Sequence, residues 1–592
     1  MIHRKYEIRF ITVLALIFCF AASPAFAQNR SALQIKVAGV TNLSAQPGSA
    51  PTEIGNEVFI GPEVDEQFTK PQITGSISPS RVSSAHVPTP SGSGFATTAG
   101  DVFLGFNAIS HRDQRLSNNG NQFSLEPPDQ GLAAGNGFVV EAVNDAVRVF
   151  NYAGTAQTGT VALSSFLGLP PEIDRTKTPV VFGPEPTDPR VYYDATTQRF
   201  FLTALVLSQK SDTGALIPPV NVYIAVSQTN DPTGNWTILT LDVTNDGGPF
   251  AACPCFGDQP LIGADANGFY VSTNAFSLST FRFSGANIYA FSKTALETAS
   301  AGAITGVRFS NLTEAGLPFA FTIQPATVPP GGSFATNTEY FVSALDFTNT
   351  VDNRLVVWAL TGTDTLGTAT PTLSLVNAVV DTQSYGAPPQ AQQKPGPFPL
   401  GTLLKDHEEL VSSNDDRMEQ VVFAAGKLWT ALSTSAKTLN GPVRTAAAWF
   451  ILSPAVSGGA VSASVVNQGY IAINDPSQQS VLFPSVAVNS SGKGVVAFSV
   501  VGLDFFPSAG YVPIDVNGTG AIRISGVGAL PDDGFTGYAQ FGASNRVGRW
   551  GDYSAAVSDE NGAIWMGNEY IPNAPRTVNA NWGTFIGSFT PQ

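Results

Sequence analysis

"DQPLIGADANGFY" (residues 258–270) and "DYSAAVSDENGAIW" (552–565) are two copies of one pattern. In each, an Asp is followed seven residues later by a second Asp, then by x-Asn-Gly and an aromatic-bearing apolar run. A looser form, an apolar run followed by a turn and a second apolar run, recurs in "DQGLAAGNGFVVEAVN" from Asp129 and "DPRVYYDATTQRFFLTAL" from Asp188, and "NTEYFVSALDF" from Asn337 opens a further unit. It returns in "DRMEQVVFAAGKLWTALS" from Asp416 and "FPSVAVNSSGKGVVAFSV" from Phe483. A short β-branched or aromatic run, a Gly/Asn/Asp turn and a second apolar run read as a hairpin. A third strand usually follows ("VNVYIAVSQ", "RLVVWAL", "TAAAWFIL"), and often a fourth ("NWTILTLD").

Four-stranded units repeated at intervals of roughly 60–75 residues cannot each bury both faces alone, and stacking them in a ring does. The sequence therefore predicts an all-β chain, a seven-bladed β-propeller of four-stranded blades over 100–592. "DANG" and "DENG" are then turns between first and second strands, where Asn-Gly is expected to supply positive φ angles. An EF-hand loop needs further oxygen ligands and a closing Glu, which neither copy has. The last unit runs out one strand short, and "DVFLGFNAIS" (101–110) has no unit of its own. An N-terminal strand completing the last blade would remove the open edges of the ring.

Composition sets the compartment and excludes several partners. A basic front (His3, Arg4, Lys5), an apolar run from Ile11 to Ala22 and small residues up to Ala27 read as a signal peptide, residues 1–27. No later stretch has the length of a membrane span. A secreted or periplasmic protein, cleaved at about Ala27, is expected. Residues 28–99, rich in Ser, Pro and Gly, read as a linker or loosely ordered arm. Formal net charge is −15, which argues against nucleic-acid binding. Cys253 and Cys255, in "CPC", offer a local disulfide or two thiols. With His86, His111 and His407 scattered, they make no zinc site. A monomer is expected.

Several phrases together resemble a family: "EPPDQGLAAGNGFVVEAVNDAVRVFNYAG" (126–154), "DPRVYYDATTQRFFLTAL" (188–205), "AVSQTNDPTGNW" (225–236) and "GRWGDYSAAVSDENGAIWMGNEY" (548–570). They are similar to secreted bacterial β-propeller proteins described as sialidase-like, a family of poorly defined activity. The resemblance implies a propeller and export more than a reaction. "SDENGAIW" differs from the sialidase Asp-box S-x-D-x-G-x-T-W by one extra residue before Gly562 and by Ile564 in place of Thr.

The start of each first strand faces the mouth of the channel in a propeller. Asp129, Asp188, Asp258, Asp416 and Asp552 are thereby candidates for one ring of carboxylates, joined by Tyr553 as a catalytic candidate. Such acids can act as an acid/base pair, hold a hard cation such as Ca²⁺, or bond backbone N–H groups of the strand openings. No other cofactor is expected. Arg190, Arg417 and Arg549 could clamp a substrate carboxylate or pair with those acids. Trp550, Glu569 and Tyr570 add polar-aromatic surface. "KDHEEL" (405–410) sits in a Pro/Gln-rich loop. The reading is an exported propeller that binds an extracellular ligand, a glycan or cell-surface partner, at the mouth. The alternative is a sialidase-like glycoside hydrolase or a polysaccharide lyase using the mouth carboxylates.

Overall fold

The computed structural model describes residues 29–52, 87–95, 103–314, 317, 319–345, 351–407, 410–438, 441–476, 478–542 and 545–591. The expected signal peptide, residues 53–86 of the expected arm, and His86 lie outside the described residues. What is described is nearly all β. Successive antiparallel meanders, called units here, open on the strands Gly131–Gly135, Glu185–Asp194, Cys255–Ala264, Gln324–Thr327, Met418–Ala424, Ser480–Val488 and Ala555–Ser558. Each of these first strands lies against the next, and Ala555–Ser558 lies against Gly131–Gly135, so they form a closed circuit.

Burial falls from the inside outward. The first strands at Gly131–Gly135 and Ser480–Val488 are buried on both faces, which is why they read as continuous apolar runs. The outer strand Ala460–Ile471 alternates exposed and covered residues. The core lies between units. Tyr192, Phe201 and Leu239 of the second unit meet Phe256, Phe269 and Phe291 of the third. Tyr270 and Ile288 of the third meet Phe341 and Trp358 of the fourth.

Two local readings need correction. In the fourth unit, Asn337 precedes the second strand (Thr338–Ala344), and the first strand is the short Gln324–Thr327 upstream. In the turns, the Asp does the work assigned to Asn-Gly. Asp265 Oδ1 accepts from the N–H of Asn267 (2.8 Å) and Gly268 (2.6 Å), and neither residue has a positive φ. Asp559 Oδ1 accepts from Asn561 and Ala563, both at 2.9 Å, and only Gly562 is left-handed, at φ +79°. These are side-chain-capped turns.

Residues near the opening of several first strands are left-handed: Asp129 (φ 46°), Asp188 (52°), Gln259 (44°), Phe483 (51°) and Asp552 (41°). A Pro follows at 189, 260 and 484. Asp tolerates this backbone region better than most residues, so part of the recurrent Asp is a backbone requirement.

The N-terminal region is more ordered than its composition suggests. Asn29–Asn42 is a strand lying between the outer strands of the second and third units. Phe103–Ser110 pairs with Gly583–Phe589, from Phe103↔Phe589 to Ser110↔Gly583, and adds the outer strand of the last unit. A short helix, Lys293–Glu297, is capped by Ser292. Cys253 and Cys255 form a disulfide.

Loops on the side where the first strands begin build a partial roof. Segments 386–414 and 527–551 share a small sheet of Ala391–Gln392, Leu410–Val411 and Val547–Gly548. The Asp533 carboxylate accepts from the N–H of Leu400 (2.8 Å) and Gly401 (3.1 Å). Glu126 Oε2 accepts from the N–H of Thr536 at 3.1 Å.

Candidate site at the channel mouth

The first strands line a channel. Its wall includes Leu132, Val191, Ile262, Val421, Val488 and Ala556, and it encloses about 70 Å³. That is room for a few waters and not for a sugar ring. Any larger ligand must sit at an end of the channel rather than inside it.

The five aspartates are all buried near the starts of the first strands, between 0% exposed for Asp129 and Asp416 and 9% for Asp552. Those whose contacts are defined hold the ring together. Asp129 Oδ2 accepts from Asn144 Nδ2 at 2.7 Å. Asn144 Oδ1 in turn accepts from the Asp188 N–H at 2.8 Å. Asp188 Oδ2 accepts from the N–H of Gln259, in the next unit, at 3.2 Å. Asp552 takes Arg549 Nη2 at 2.8 Å and Asn414 Nδ2 at 3.3 Å. Asp258 and Asp416 are buried at the same level. Bonds of this kind lock strand openings and neighbouring units.

The three arginines are not equivalent. Arg417 is 2% exposed; its Nε and Nη2 grip Asp415 at 2.8 and 2.9 Å, and its Nη1 reaches Gln259 Oε1 at 3.0 Å. Arg549 is paired with Asp552. Arg190 is different. It is half-buried, its guanidinium lies 3.3 Å from the centre of the Tyr553 ring, and its Nε is buried without a hydrogen-bond partner. Among the described residues it makes no hydrogen bond and no ion pair.

Within electrostatic reach of Arg190 is a residue that the sequence reading missed. Glu419 is 5% exposed and accepts no hydrogen bond among the described residues. Burial pushes its carboxyl well above the ordinary Glu range; Arg417 and Arg190 oppose this, and Asp415 and Asp552 reinforce it. Glu419 thus holds its proton more tightly than an ordinary Glu, and Arg417 and Arg190 are the cations within electrostatic reach of it. The available signal was a Glu inside a strand whose neighbours are apolar, "MEQVVFA".

The aromatic candidates are placed less openly. Tyr553 is 2% exposed and its hydroxyl donates to the Pro189 carbonyl at 3.0 Å. Burial raises its pKa well above the usual tyrosine value, against the pull of Arg190. It is a platform for Arg190 rather than a ready nucleophile. Trp550 is 1% exposed and packs with Phe483 and Trp582, so it offers no face to a ligand. Tyr570 donates to Asn107 of the closing strand at 2.6 Å. Glu569, 3% exposed, accepts the Gly551 N–H at 2.8 Å; burial, then Asp532 and Glu126, push its pKa up. His407 is exposed on the roof and His111 is buried against Thr577. Among the described residues no three His, Cys, Asp or Glu side chains are arranged to hold a metal ion. No helix there is long and apolar enough to cross a membrane.

No protein family matches the chain, and no curated protein matches it in sequence. Solved structures do match in outline. The exo-β-1,3-galactanase from Clostridium thermocellum is 10% identical over 82% of this chain and 99% of its own, with a TM-score of 0.27. The phage phi92 endosialidase is 7% identical over 78% of this chain and 67% of its own, with a TM-score of 0.28. The Penicillium chrysogenum α-L-arabinanase bound to arabinobiose is 12% identical over 68% of this chain and 92% of its own, with a TM-score of 0.26. Likenesses this faint carry no argument about activity.

Proposed function

We propose that the chain is an exported seven-bladed β-propeller that binds an anionic glycan at the channel mouth. The closed circuit of first strands supports the architecture. The observation that carries the function is Arg190: a half-buried guanidinium, stacked on Tyr553, with no hydrogen bond or ion pair among the described residues. Guanidinium is a planar donor matched to carboxylate or sulfate, and a stacked one has little rotamer freedom left to lose on binding. Glu419, within electrostatic reach of Arg190 and with its pKa raised by burial, can donate to the ligand in its protonated form, where an ionised acid would repel it. The paired aspartates keep the frame, and the narrow channel below leaves the ligand at the rim. A Ca²⁺ requirement is no part of this reading. Binding of neutral and carboxylate-bearing oligosaccharides to immobilised protein tests it. Carboxylate-bearing chains should be retained preferentially, and Arg190→Ala should abolish the preference.

Glu419 also supports a second reading, a glycoside hydrolase. A carboxyl whose pKa burial raises, within electrostatic reach of Asp552, is the kind of pairing that glycoside cleavage uses. Release of new reducing ends that is lost in Glu419→Gln, with binding retained, would select this reading.

A further inference from the structure

The strand Asn29–Asn42 is attached in an unusual way. Its first half pairs antiparallel with the outer strand of the third unit, from Asn29↔Ser310 to Lys36↔Ala303. Its second half pairs with the outer strand of the second unit, from Lys36↔Thr240 to Asn42↔Asn235. The strand changes partner at Lys36 and so joins the outer edges of the two units in one continuous sheet.

Its side chains add one alternating apolar row and two end contacts, Asn42 Nδ2 donating to Asn235 Oδ1 at 2.8 Å and Arg30 donating to the Pro371 carbonyl. Ile35 is 0% exposed, and Leu33 and Val37 pack beside it on the cluster shared by the second and third units. Ala32, Gln34 and Lys36 point to solvent, and Val40 is 53% exposed. Recognition is therefore main-chain pairing on two half-edges plus an apolar row at i, i+2 and i+4, the mode by which extended peptides add to sheets. Beyond it, Leu43 is buried and the Ala50 N–H reaches the Leu116 carbonyl at 2.7 Å. The segment joins the rest of the chain through residues 53–86, which can reach about 100 Å at full extension.

We propose that the seam between the outer strands of the second and third units is a receptor for an extended strand, and that a second copy of this chain supplies it, giving a strand-exchanged dimer. Every contact made within one copy is available between two, because the seam sees only residues 29–52 and the connection is long. The seam also has to be filled. Without a strand it presents two unpaired edges and a hole where Ile35 sits. Exchange would carry two channel mouths on one assembly, which suits a polymer with repeated epitopes by raising effective concentration. This inference is independent of what the mouth binds.

The test is co-refolding of tagged and untagged full-length chain over a rising concentration series, followed by dilution and capture on the tag. Untagged chain should be co-captured in an amount that grows with refolding concentration and persists after dilution. A synthetic peptide of residues 29–42, in excess during refolding, should suppress the co-capture, and a scrambled peptide should not. Absence of co-captured chain at every concentration overturns the proposal. So does co-capture that the peptide leaves unchanged, which would mean association through another surface.

Discussion

Arg190 and Tyr553 are in contact although they belong to the second and last units, with the first unit between them. The contact exists because the first unit opens on Gly131. A Cβ there would lie 2.8 Å from the Pro189 carbonyl oxygen and 3.1 Å from the Arg190 Cα, both backbone atoms. The bare glycine lets the second first-strand close over the first, and the Tyr553 hydroxyl then ties down the Pro189 carbonyl. Gly131→Ala should lower stability by about 1–3 kcal/mol, measured by denaturant unfolding. It should also weaken glycan binding, because it displaces the Arg190 backbone.

Glu419 makes binding depend on pH in a defined direction. Burial raises its pKa in the folded chain, so its neutral form extends to higher pH than that of an ordinary Glu and is lost as pH rises through the raised pKa. Above that point an anionic ligand meets a carboxylate, and affinity should fall. Glu419→Gln should bind as the wild type does at low pH and lose the alkaline decline. Calorimetric titrations at several pH values check both.

Glu185 should govern part of the pH dependence of stability. Burial, reinforced by Asp145 and Asp188 and opposed by the donation from Gln209, pushes its pKa up to about 7. The folded state holds this proton more tightly than the unfolded chain. The stabilisation is thus complete below the ordinary Glu range and lost as pH rises through about 7. Glu185→Gln keeps an acceptor for Gln209 and turns an amide toward the two acids. It should raise stability by about 1–2 kcal/mol near pH 8 and change little near pH 4. Thermal melts across pH measure it.

Ile35 should behave as a core residue despite its place in the arm. Ile35→Ala should cost about 2–4 kcal/mol, and removing residues 29–46 should cost more. Val40→Ala, at a position 53% exposed, should be near neutral in the same melts.

What the sequence disclosed follows from period and punctuation. Alternation and turn residues marked the repeated hairpins, and the orphan apolar run at 101–110 marked the strand that the last unit lacked, observed as Phe103–Ser110. The strand at 29–42 escaped because its row, Leu33, Ile35 and Val37, is short and precedes a Ser/Pro-rich stretch. Its stability comes from two sheet edges supplied by residues some two hundred positions or more away. In the site, the type and place of Arg190 were legible, but its isolation was not. Arg417 and Arg549 carry the same charge and are already engaged, by Asp415 and Asp552. Glu419 escaped because only burial gives it a function, and burial at the mouth depends on the unit-to-unit packing. Trp550 read as a sugar platform because sequence alone does not tell which face of "RWGDY" turns inward.

The central claim is that Arg190 is the anchor of a ligand at the channel mouth. Isothermal titration of an oligogalacturonate into wild type, Arg190→Ala and the distant control Arg308→Ala tests it most directly. The account predicts one site per chain, affinity about 10–100-fold weaker in Arg190→Ala, wild-type affinity in Arg308→Ala, and melting temperature unchanged by Arg190→Ala. Equal affinity in wild type and Arg190→Ala, or a loss shared equally by Arg308→Ala, would contradict it.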